Sequence, residues 1–106
     1  MPINTSQRAV PATELITAMT GSNTLIGVLS ESPVIIIFDN QSTSSVVISI
    51  NSVSWKTFSA GEALVLDMRG NHGNAPNFTF DQGTAFFGNG AATGSFSIAY
   101  LYAKNN

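Results

Sequence analysis

Val34-Ile35-Ile36-Ile37-Phe38-Asp39-Asn40-Gln41-Ser42 is the stretch on which the fold turns. Its first five residues are β-branched or aromatic, which suits a strand better than a helix. The run is continuous rather than alternating, so it fits a strand covered on both faces. Asp39 to Ser42 then break it with turn formers. The next segment, Ser45 to Asn51, alternates: Val46, Ile48 and Ile50 on one face, Val47, Ser49 and Asn51 on the other. A period of two is the signature of a half-buried strand.

The same grammar continues outward. Trp55 and Phe58 frame a short piece that ends in the turn Ser59-Ala60-Gly61-Glu62, and Ala63 to Met68 is the next strand candidate. Residues 69–77, with five Asn and Gly positions around His72 and Pro76, read as a surface loop. Phe78 and Phe80 alternate after it. Thr84 to Phe87 reads as a short strand, and Gly88-Asn89-Gly90 with Ala91 to Gly94 as a turn region. Phe96, Ile98, Tyr100 and Tyr102 alternate with Ser97, Ala99, Leu101 and Ala103 to give a last strand. Toward the N-terminus, Thr24 to Leu29 reads as a strand. Thr13 to Met19 fits either one or two helical turns capped by Thr13 or an edge strand. Pro2 and Pro11 keep the first residues extended, as an arm or as a first strand of the domain.

Seven or eight short strands in 106 residues predict one all-β domain, an antiparallel β-sandwich of jelly-roll-like type. Residues 1–30 form the N-terminal arm and first strands, and 31–106 the sandwich core. The longest apolar run is far below the roughly 20 residues of a membrane helix. The first eight residues lack the features of a signal peptide, so synthesis in a cytoplasm is expected. There is no cysteine, which excludes disulfides and thiolate metal sites.

Charge is the compositional anomaly. Asp, Glu, Lys and Arg make up 9% of the chain, against about 25% in ordinary soluble domains. Polarity comes from 13 Ser, 10 Thr and 10 Asn instead. Hydroxyls and amides are cheaper to desolvate than charges, so this surface suits being covered by other subunits. Arg8, Lys56, Arg69 and Lys104 are scattered and form no stripe for nucleic acid.

A catalytic constellation is hard to assemble from these residues. His72 is the single histidine and sits in the Gly/Asn loop. A hydrolase would have to pair it with Asp67 or Asp81, and a Ca²⁺ site in 67–83 would lack the spacing of a calcium loop. No Gly-x-Ser-x-Gly elbow occurs, and Gly88-Asn89-Gly90 lacks the lysine and helix of a phosphate loop. The expectation is no enzyme, no catalytic residue, no metal and no cofactor. The interaction candidates are Trp55 and Phe58, Arg69 and His72 of the loop, Tyr102 of the last strand and Arg8 of the arm. Trp55 with Tyr100 and Tyr102 offers an alternative, a sugar-stacking platform.

Taken in order, Ala9 to Leu29, Ile35 to Ser42, Val46 to Ile50, Gly61-Glu62-Ala63-Leu64 and Thr93 to Tyr100 resemble small structural proteins of tailed-bacteriophage virions. The resemblance spans nearly the whole chain as a pattern of residue types. It implies a capsid cement or decoration subunit, or a head–tail or fibre component, located in the virion and commonly trimeric. Its implied partners are other copies of itself and the major capsid protein, with no nucleic acid and no membrane. The alternative it leaves is a carbohydrate- or receptor-binding module of a tail or head fibre.

Overall fold

A computed structural model describes the backbone of residues 7–67 and 80–105, with side chains for 9–67 and 80–104. The described residues contain no helix. Nine strands run in order: β1 (Gln7–Pro11), β2 (Leu15–Ala18), β3 (Asn23–Val28), β4 (Pro33–Asn40), β5 (Val46–Ile50), β6 (Val53–Phe58), β7 (Ala63–Asp67), β8 (Ala85–Gly90) and β9 (Ser95–Asn105). They build two antiparallel sheets. Sheet A has the order β1-β9-β4-β7, with β2 also on β9; sheet B has the order β3-β8-β5-β6.

β1 and β2 lie along the same edge of β9, Gln7 to Pro11 against Asn105 to Leu101 and Leu15 to Ala18 against Ile98 to Ser95. Residues 7–11 and 15–18 are therefore strands of their own chain's sheet, and 15–18 take the edge-strand alternative. With that edge counted once, the sheets read β2-β9-β4-β7 and β3-β8-β5-β6. This is the double-sheet strand order of a jelly roll, in which the chain keeps crossing between layers. The fold is an antiparallel β-sandwich.

Between the layers sits an aromatic cluster. Phe38 of β4 is at its centre, with ring centroids 5.1 Å from Trp55, 5.8 Å from Phe58, 6.0 Å from Phe80 and 5.5 Å from Phe86. These are the tilted and edge-on separations that aromatic quadrupoles favour. Ile36, Val46, Ile48, Phe96 and Ile98 fill the gaps and are fully buried.

Two turns that sequence pattern misplaces have physical reasons. The break expected at Asp39 to Ser42 comes later, because Asn40 still pairs with Phe96 in the ladder. Asn40 is fully buried and bolts the β4–β5 connection. Its amide nitrogen donates to the carbonyls of Ser44, Phe58 and Ser59 at 3.0, 3.1 and 2.9 Å, and its carbonyl oxygen accepts from the Ser42 amide and hydroxyl. Gly88-Asn89-Gly90 is the end of β8 rather than a turn. Gly90 is glycine because its backbone lies against β5: a Cβ there would stand 2.7 Å from Val46 Cγ2. The turn itself is Ala91 to Gly94. A third feature went unread: Asn51 and Ser52 both have positive φ, 50° and 73°, and make the two-residue hairpin turn between β5 and β6.

Candidate functional site

The ionisable side chains come first, because chemistry would need them together. Among the described residues no cluster of three or more His, Cys, Asp or Glu side chains could hold a metal ion. Lys56 Nζ pairs with Glu62 Oε2 at 3.1 Å, with both side chains partly exposed. The Ser59 amide donates to Glu62 Oε1 at 2.8 Å. That backbone bond, then the bond from Lys56, holds the Glu62 carboxyl below its ordinary value of 4.5. The arrangement closes the β6–β7 turn: Glu62 N also donates to Ser59 O. Lys56 Nζ lies 5.0 Å from the centre of the Phe58 ring as well. The charges serve the turn.

The sequence candidates fall in different places. Phe58 is fully buried in the aromatic cluster. Trp55 packs into the same cluster, against Phe38, Phe58 and Phe80. A register shift in the β5–β6 ladder places both Trp55 and Lys56 opposite the step from Ile48 to Ser49, and that extra residue turns the indole inward. Tyr102 is half-buried on β9, opposite Val10 on one side and Pro33 on the other. Tyr100 is buried, and its hydroxyl accepts from the Ser30 amide at 2.9 Å and shares a bond with the Ser30 hydroxyl. Arg8 pairs with Lys104 in the β1–β9 register, but its side chain lies outside the described residues. Arg69, His72 and the whole 69–77 loop lie outside them too. The structure thus packs a half-buried Trp55 against the fully buried Phe58 at the margin of the core, and Tyr102 stands apart from them.

What the sandwich presents to its surroundings is two uncharged or nearly uncharged sheet faces. Directly opposed residues in antiparallel strands share a face. On the outside of sheet A this gives the rows Val65–Ile37–Ala99, Asp67–Ile35–Leu101–Pro11 and Ala63–Asp39–Ser97–Ile16. Ile16, Ile37 and Val65 are 51%, 38% and 59% exposed. The run Val34 to Phe38 is therefore covered on its inner face and open on its outer one in the single chain. The outside of sheet B carries the rows Leu25–Phe87–Ser49–Ser54 and Asn23–Asn89–Val47–Thr57, without one charged residue. Leu25 and Val28 are exposed there. Alternation in the sequence finds each strand, but the rows exist only once strands distant in the chain are set side by side.

Comparison with protein-family models, with curated protein sequences and with solved structures found no match for this chain. Fold and surface together define a class: an antiparallel β-sandwich with an aromatic core and polar but scarcely charged outer faces.

Proposed function

We propose that this chain is a non-enzymatic structural subunit of a bacteriophage virion, a capsid cement or decoration protein that associates with copies of itself and with the major capsid protein. The observation that carries the reading is the outer face of sheet A, where Ile16, Ile37 and Val65 stand exposed among Ala, Leu, Pro and Ser, with Asp39 and Asp67 as its charged members. Apolar surface leaves water with a gain of roughly 25 cal/mol per Å². Hydroxyl and amide neighbours add little desolvation cost to that gain. A stable contact needs roughly 800 Å² from each partner, about a seventh of the chain's 5829 Å². Repeated around a symmetric particle, a weak contact becomes a strong one. The resemblance to phage virion proteins supports the same reading. The fibre-module alternative rests on Trp55 with the 69–77 loop; the Trp55 ring packs against Phe38, Phe58 and Phe80, and the loop lies outside the described residues.

Size-exclusion chromatography with light scattering tests the proposal. The expected result is a species at a multiple of the 11.1 kDa chain mass. A single monomeric species up to the highest attainable concentration overturns it.

A further inference from the structure

We propose that β7, the edge of sheet A against which no other described strand lies, pairs antiparallel with β7 of a second copy about a two-fold axis, so that sheet A runs on through the contact. This rests on the reading of the chain as a self-associating subunit and names the surface involved.

The hydrogen-bond parity of the ladder identifies what the edge offers. Asn40 N donates to Glu62 O on the β7 side of β4, whereas Gln41 N donates to Ser95 O on the β9 side. Even-numbered residues of β4 thus face β7. By the β4–β7 register their partners are Leu64 and Leu66. The N–H and C=O groups of Ala63 and Val65 point the other way, out of the sheet. Among the described residues no strand pairs with β7 on that side.

The other edges carry devices that discourage strand addition. On the β1/β2 edge the ladder is interrupted at residues 13–14, and Pro11 has no N–H to give. β3 has a register shift between Leu25 and Gly27. β6 has the extra residue at Trp55 and Lys56. β7 has neither bulge, proline nor lysine, and pairs with β4 in unbroken register from Ala63 to Asp67.

The strand also complements itself. Centred on Val65, an antiparallel pair sets Val65 against Val65 and Ala63 against Asp67. Each aspartate then meets an alanine. A parallel pair would set the two Asp67 carboxylates side by side, which is destabilising. The outward-facing Val65 groups exchange two main-chain hydrogen bonds. Their side chains extend the outer-face row into Ile37–Val65–Val65–Ile37, an apolar band across the seam. The contact is isologous, so by itself it closes as a dimer; a trimer would need another surface.

A chain without cysteine makes the test direct. Facing residues at such a centre have Cα atoms about 5.5 Å apart, within disulfide reach. Val65→Cys and Ile16→Cys, both at exposed positions of sheet A, are oxidised in the full-length protein and run on non-reducing gels. Val65→Cys is expected to form covalent dimer roughly tenfold faster or more. Equal rates, or faster linkage at Ile16, overturn the inference. Light scattering on Val65→Pro and Val65→Lys gives the second readout. Proline at 65 removes an N–H that β4 does not use, and lysine places a charge at an exposed site. Both are expected to lose the contact while keeping the wild-type circular dichroism spectrum. Unchanged assembly of folded Val65→Lys overturns the β7 contact and leaves the subunit reading standing; a monomeric wild type removes both.

Discussion

Ile36 and Ile37 are adjacent residues with the same side chain in the middle of β4, yet Ile36 is fully buried and Ile37 is 38% exposed. The inner side of the strand belongs to a close-packed aromatic and aliphatic layer. The outer side belongs to a face that no described strand covers. Composition does not separate the two sides, because both are apolar. What separates them is the number of neighbours: the inner side chain meets a second sheet, the outer one only its cross-strand neighbours. The same residue type can thus hold the monomer together in one position and be available to a partner in the next.

Phe38→Ala against Ile37→Ala puts that contrast to its hardest test. Phe38 touches four other rings, so its removal is expected to cost about 3–5 kcal/mol in urea unfolding of the isolated chain. Ile37→Ala is expected to cost about 1 kcal/mol or less under the same conditions. Comparable losses would mean that the two faces of β4 are equally packed. Next comes Asn40→Ala. It leaves buried carbonyls and the Ser42 groups without their partner, for an expected loss of about 2–3 kcal/mol. Asn40→Asp, which keeps the size but withdraws the donors, is expected to be no better. The smallest effect concerns the outer turn. Glu62 has its folded-state pKa depressed by the Ser59 amide and Lys56. Its contribution is therefore present above the unfolded value of 4.5 and fades as pH falls through the lower folded value. The urea midpoints of wild type and Glu62→Gln should differ slightly at pH 6 and converge in acid; a gap that widens in acid would reverse the assignment.

The periodic strands were legible because each announces its own inner face. β5 shows it in Val46, Ile48 and Ile50, and β9 in Phe96, Ile98 and Tyr100. The boundaries were less so wherever a residue type serves tertiary structure rather than local preference. Asn40 looks like a turn former and is a buried bolt. Gly90 looks like a turn and is a strand residue that makes room for Val46. Asn51-Ser52 is a tight hairpin turn without the glycine that marks most of them. Trp55, read as an interaction candidate, is turned inward by an irregularity in the ladder that no local pattern encodes. The candidate surface was hidden for a related reason. Val65, Ile37 and Ala99 form one row, but 28 positions separate the first two in the chain and 34 separate Val65 from Ala99.

The place of β9 has a consequence for how the protein is made. β9 is the inner strand to which β1, β2 and β4 all attach. As the chain leaves the ribosome, those three strands emerge early and have no common partner until residues 95–105 follow them. The β4–β7 ladder can form earlier, but β1, β2 and β4 join into one sheet only when β9 arrives between them. Pairings between such distant segments belong with folding times of milliseconds to seconds rather than microseconds. A nascent chain stalled before residue 95 would expose both the future core and the edges that the finished sheet protects.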